Sequence, residues 1–269
     1  MSTATSEPGS QIVRDAVRSF AELRVGDVAY AGGKGANLGE LTAAGLPVPP
    51  GFVVGAPAYA AYCEQTGLRA RLAALLDGLD VEDTAELERA AAAARALFDQ
   101  TAVPPWLADR IRLACEELGA QTSAVAVRSS ATAEDTADAS FAGMNETFLN
   151  ELGADAVIDA VRRCWRSLFG ARTVYYRGSR GMGQADMDIA VIVQRQIAST
   201  RSGVMFTVNP SSGERGELVI EGAFGLGEAV VSGAVSPDRY LVDKASLTIS
   251  AREVHRKELA IEPAETGGT

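Results

Sequence analysis

One stretch limits the fold more than any other: AVRSSATAEDTADASFAGMNETFLN, Ala126 to Asn150. It begins inside the apolar run AVAV, which reads as a buried strand. It then passes through small and hydroxyl side chains before the strand resumes near Thr147. Arg128 follows the apolar strand, so its backbone is fixed while its guanidinium reaches toward a cleft. Arginine suits bidentate binding of phosphate oxygens. Ser140 to Gly143 reads as a turn whose backbone N–H groups face an anion. Gly143 allows close approach there, and Thr147 adds a hydroxyl. An acidic surface loop is the competing reading, because Glu134, Asp135 and Asp138 would repel any anion they faced. Chemistry alone leaves the two readings open.

A second glycine-rich segment lies upstream. AYAGGKGANLGELTAAGLPVPPGFVV, Ala29 to Val54, predicts a glycine turn, a short helix from Ala36 to Ala43, a proline-bounded corner and a strand at Gly51 to Val54. In GGKGANLGE, Lys34 stands between glycines ahead of a helix, where exposed N–H donors favour anions. It is not a Walker A loop: Val28 occupies the first glycine position, and Gly35 follows the lysine where Ser or Thr is required. Lys34 is either a phosphate-binding group or a solvent-exposed turn lysine.

Three helices are expected next: Pro57 to Leu76, Thr84 to Phe98 capped by Asp83, and Pro105 to Leu118 opening on prolines. They read as a helical insertion. Beyond AVAV, a long helix is expected from Ala154 to Arg177, then a β-branched strand from Met187 to Ile197. GVMFTVNP, GELVIEGAFGLGE and DRYLVDK each predict a further strand. The order is α+β rather than regular βαβ alternation. The expected division is a flexible tail over 1–19 and an N-terminal subdomain with the helical insertion over 20–122. A glycine-loop subdomain follows over 123–194, then a C-terminal part over 195–260 and a tail over 261–269.

Gln194, at a strand end, can hold an adenine edge or serve as an ordinary polar edge residue. GAFGLGE lacks the Rossmann glycine order. Glu221 and Glu228 are carboxylates of the kind Mg²⁺ takes, with a surface role as the default. The net charge of -10 disfavours nucleic acid and anionic membranes. No apolar run approaches the roughly 20 residues that cross a bilayer. Cys63, Cys115 and Cys164 are scattered and odd in number, as expected of reduced thiols in a cytoplasmic protein.

At GGKGANLGEL, GLPVPPGF, AVRSSATAEDTADASFAG, GVMFTVNP and GLGEAVVSGAVSPDRY the chain resembles a known family. It is the N-terminal ATP-grasp domain shared by phosphoenolpyruvate synthase (pyruvate, water dikinase), pyruvate phosphate dikinase and rifampin phosphotransferase. The resemblance runs from about Val25 to about Lys257. It implies an ATP-grasp fold, C-terminally incomplete, that binds ATP and Mg²⁺. Lys34 and Arg128 match the family's phosphate-binding pair, Gly143 and Thr147 its glycine-loop hairpin, and Gln194 a residue beside the adenine. The family's metal-binding segment, its phosphohistidine carrier domain and its pyruvate- or drug-binding domain have no counterpart in this sequence. His255 lacks the carrier's surroundings and reads as a surface residue. The implied function is the ATP-binding module of a phosphoenolpyruvate synthase-like phosphotransferase, not active as this chain alone. The alternatives are the same module of a rifampin phosphotransferase, or a docking module without catalysis.

Overall fold

A computed structural model describes residues 9–132, 146–183 and 187–269. The chain forms two compact units, Met1–Gln196 and Ile197–Thr269. In order, the first unit carries α1 (Ser10–Asp15), β1 (Val17–Ser19), α2 (Val28–Ala43), β2 (Gly51–Val54), α3 (Ala56–Gln65), α4 (Leu68–Leu76), α5 (Thr84–Asp99) and α6 (Pro105–Leu118). It continues with β3 (Val125–Ala131), β4 (Thr147–Glu151), α7 (Ala154–Ser167), α8 (Ala171–Ser179) and β5 (Ile189–Arg195). The second unit holds β6 (Arg201–Phe206), β7 (Glu217–Phe224), α9 (Glu228–Val231), β8 (Asp238–Asp243) and β9 (Ile249–Glu253). The architecture is α+β, as the sequence predicts.

The strands of the first unit form one sheet in the order β1-β2-β5-β3-β4, antiparallel throughout. Strand β5 explains why both faces need cover. Ile189, Ala190, Val191, Ile192 and Val193 are all fully buried, so successive side chains enter apolar surroundings on opposite sides. Val125 and Val127 of β3, with Ile189, Val191 and Val193, face a large core built by α3 to α8. Ala190, Ile192 and Val53 face a smaller cluster with Tyr30 and Ala31 of α2, together with Phe20 and Leu23. The sheet is thus a partition between a thick helical layer and one kinked helix.

In the large core, Tyr62 stacks on Trp165 at a centroid distance of 4.9 Å, and Phe98 lies 5.4 Å from Phe169. Asp83 caps α5 by accepting from the N–H groups of Ala85 and Glu86, at 2.9 and 3.0 Å.

Several expected boundaries shift. The helix predicted over 57–76 is two helices, because Gly67 at φ 65° turns the chain between α3 and α4. The helix predicted over 154–177 also breaks, at 168–170. There the buried Arg177 donates to the Leu168 carbonyl at 2.7 Å, satisfying a group that the break releases. Burial pulls this guanidinium down to about 10. Within the segment read as a tail, Val17–Ser19 pairs with β2 at the sheet edge. The second unit is a four-stranded antiparallel sheet, β6-β7-β8-β9, whose last strand the sequence does not announce. Ile261, read as part of a polar end, forms a parallel bridge to Gly225. No helix among the described residues is long and apolar enough to cross a membrane.

Two measurements test this packing. Phe98→Ala is expected to lower unfolding free energy by about 3–5 kcal/mol in a urea titration, the usual cost of emptying a buried aromatic site. The three cysteines are buried and unpaired, and burial pushes Cys63 to about 11, Cys115 to about 12 and Cys164 further up. Ellman's reagent at pH 8 should therefore leave the native chain essentially unlabelled and titrate all three thiols in denaturant.

Candidate functional site

Lys34 does not lie in a loop before a helix. It lies within α2, which starts at Val28 and kinks at Gly32, where φ is 67° and ψ 171°. The expected start at Ala36 is therefore corrected: the glycines interrupt a helix instead of preceding it. Gly33, Lys34 and Gly35 open the second helical stretch, where first-turn N–H groups must find their acceptors outside the helix's own ladder.

Packing fixes where this turn lies. A Cβ on Gly32 would fall 2.3 Å from the Ser130 hydroxyl oxygen and 2.4 Å from the Ser130 carbonyl oxygen, so no side chain fits. The positive φ demands glycine independently. Gly35 donates its N–H to the Ser130 hydroxyl at 3.3 Å. A Cβ on Gly35 would fall 2.9 Å from Ala31 Cβ and 3.2 Å from Val53 Cγ2. The turn that carries Lys34 therefore rests directly on β3.

Strand register does the rest. Arg128 is two residues from Ser130 and shares its face of β3. It also stands inside the strand, which runs to Ala131, and not beyond its end. Directly opposite Arg128 on β4 is Thr147, and opposite it on β5 is Ile192. Cross-strand partners of this kind place their Cβ atoms roughly 5 Å apart on one face. Gln194 pairs with Ala126, so it shares that face two residues further along. Lys34's turn, Arg128, Thr147 and Gln194 thus converge on the α2 side of one sheet. Gly143 lies outside the described residues, as do Glu134, Asp135 and Asp138.

Arg128 is half-buried, and its guanidinium makes no hydrogen bond or ion pair with any described residue. Gln194 is more committed: its side-chain N–H₂ donates to the Pro49 carbonyl at 3.0 Å, pinning the proline corner to β5. Its amide oxygen remains the atom able to accept from a ligand. Glu221 lies 4.0 Å from Arg239, within the second unit. Among the described residues, no three His, Cys, Asp or Glu side chains gather closely enough to hold a metal ion.

Sequence reasoning missed two members of the arrangement. Ser130 is fully buried, but it shares the face of Ala126 and Arg128, opposite Val125 and Val127, so the strand's apolar alternation carried no signal for it. The Pro49 carbonyl had no signal, since a backbone group carries no sequence identity.

The comparisons bear on this geometry. A family described as "Pyruvate phosphate dikinase, AMP/ATP-binding domain" matches residues 28–269. The chain belongs to this family. The match begins at the first residue of α2 and takes in every site position described above. Relatives include a "Probable phosphoenolpyruvate synthase" of Methanothermobacter thermautotrophicus, 49% identical over 246 residues, covering 90% of this chain and 36% of that protein. Another of that name, from Methanocaldococcus jannaschii, is 46% identical over 256 residues, covering 92% of this chain and 21% of the relative. The "Phosphoenolpyruvate synthase" of Pyrococcus furiosus is 41% identical over 288 residues, covering 93% and 35%. The chain thus spans between about a fifth and about a third of the length of these relatives.

Two glycines separate conformational cost from packing cost. Gly67 also has positive φ, but a Cβ there would meet nothing within 4 Å. Gly67→Ala should cost about 1–2 kcal/mol, the left-handed penalty alone. Gly32→Ala should cost clearly more, because the side chain also collides with β3. Urea denaturation of both variants checks the order; equal losses would mean that the 32–35 turn does not rest on Ser130.

Proposed function

We propose that this chain is the ATP-grasp-type nucleotide-binding module of a phosphoenolpyruvate synthase-like phosphotransferase. In this reading it holds ATP so that a phosphoryl group passes to a histidine on another domain and from there to pyruvate. One observation carries the reading. In a chain of the AMP/ATP-binding family, a kinked glycine turn bearing Lys34 rests on the strand bearing Arg128, and Arg128 stands opposite Thr147.

Phosphoryl transfer depends mainly on positioning and on neutralising phosphate charge. Lys34 and Arg128 act here as electrostatic clamps, not as bases. At about 4 Å and an effective dielectric of about 20, one cation–phosphate contact has a Coulomb term near 4 kcal/mol before desolvation. Arg128, planar and bidentate, orients the phosphate oxygens, while Lys34 supplies a compact point charge. Thr147 adds a hydroxyl on the same face, and the Gln194 amide oxygen can accept from an adenine amino group. Gly143 belongs to the loop expected over the triphosphate.

Mg²⁺ enters this reading only as a partner of the triphosphate oxygens. The described side chains do not gather into a metal site. Relatives named phosphoenolpyruvate synthase support pyruvate over a rifampin-type acceptor. Three buried, unpaired thiols support a reducing, cytoplasmic setting.

Calorimetric titration of the 269-residue chain with ATP and Mg²⁺ tests the reading. Binding in the micromolar range is expected. Arg128→Ala and Lys34→Ala should each weaken it at least about tenfold, or about 1.4 kcal/mol. Absence of binding, or affinity that neither substitution changes, would overturn the assignment.

A further inference from the structure

We propose that Ser130 is a positioning residue for nucleotide binding: its hydroxyl holds the 32–35 turn on β3, so that Lys34 and Arg128 address the same phosphate chain. This rests on the ATP-binding reading above and names the residue that joins its two halves.

Ser130 is fully buried. Across the ladder it opposes Ala190, and the cluster beneath α2 at this point is apolar, with Ala31, Val53, Ala190 and Ile192. An alanine would pack equally well there. A hydroxyl buried among apolar groups is retained at a cost unless it is hydrogen-bonded. Among the described residues, its one hydrogen-bond partner is the Gly35 N–H, at 3.3 Å. That N–H belongs to the residue next to Lys34. Gly32, two positions before Lys34, lies against the hydroxyl and carbonyl of the same serine. Ser130 is in turn two residues from Arg128 on one face of one strand. The serine therefore touches the lysine's turn from both sides and shares a rigid element with the arginine. Removing its hydroxyl leaves both cations present but frees one from the other.

The test is calorimetric titration of the whole chain with ATP and Mg²⁺, using Ser130→Ala, Lys34→Ala and the double variant. Ser130→Ala is expected to weaken binding about tenfold. In the Lys34→Ala background the same change should cost less than about twofold, because the turn no longer presents a cation. Ser130→Cys, similar in size but a weaker acceptor, should fall between wild type and alanine and keeps the test open should the alanine variant fold poorly. A merely structural serine would lower affinity equally in both backgrounds, and that result overturns the proposal, as does wild-type affinity in Ser130→Ala. Wild-type binding that is lost in Arg128→Ala while Ser130→Ala is silent sinks the positioning role alone. If the wild-type chain does not bind ATP, the ATP reading falls and this inference with it.

Discussion

The contact between the 32–35 turn and Ser130 organises the first unit around its sheet. The turn's backbone meets both the hydroxyl and the backbone of Ser130, an approach that a side chain at Gly32 would block. Gly32 meets it twice over, through a positive φ and through the absence of a Cβ in a space already filled by Ser130. The interruption that follows has a direct consequence. A helix running unbroken from Val28 to Ala43 would present Lys34 from its interior, with its N–H groups spent within the helix. Broken at Gly32, the helix offers a first turn over the sheet, and its amides become available to partners outside it.

That arrangement requires a sheet buried on both sides, and β5 supplies it. Its five consecutive fully buried residues serve two cores at once. The larger one, closed by α3 to α8 and its aromatic cluster, supplies the apolar burial that holds β3 rigid. The smaller one holds α2 down. Arg128 then emerges from a strand clamped between neighbours on both edges, β4 and β5. A guanidinium on such a base has less freedom to lose than one carried by a loop.

The fold class, the Asp83 cap and the α6 boundaries were legible because each depends on local chemistry: periodicity, a carboxylate before a helix, prolines in a first turn. The breaks at Gly67 and at 168–170 were not. Apolar spacing continues across them: a left-handed glycine turns the chain in one case, and in the other a carbonyl released at the break is taken up by the Arg177 guanidinium. Strand β9 escaped notice because it is short and none of its residues is buried, so its alternation of Ile249 and Ala251 with polar residues marks no core face. At the candidate site, Lys34 and Arg128 stood out as cations beside glycine or a strand. The contact between the turn of one and the strand of the other did not, because it is made at Ser130, ninety-five residues after Gly35 in the chain. Pairing of Arg128 with Thr147 was hidden for the same reason: register is a property of two strands, and no single segment encodes it.

An acidic chain that binds a polyanion looks contradictory until distance is considered. The net charge of -10 is spread over a surface bathed in salt, and at physiological ionic strength such charges fade over about 8–10 Å. A half-buried cation on a sheet face is screened far less, since part of its surroundings is protein instead of water. Many of the acidic groups are also already engaged. Asp99 and Asp159 pair with Arg162, Asp188 with Arg69, and Glu151 with Arg163, all away from the α2 face. These pairs consume arginines as well, so local potential is decided by which cations are left without a carboxylate. Arg128 has none among the described residues. Bulk charge therefore acts only weakly on a ligand already seated at the sheet. Selection of a small anion in general falls to a few oriented groups within contact distance; Arg128 and Thr147 lie side by side on one face of one sheet.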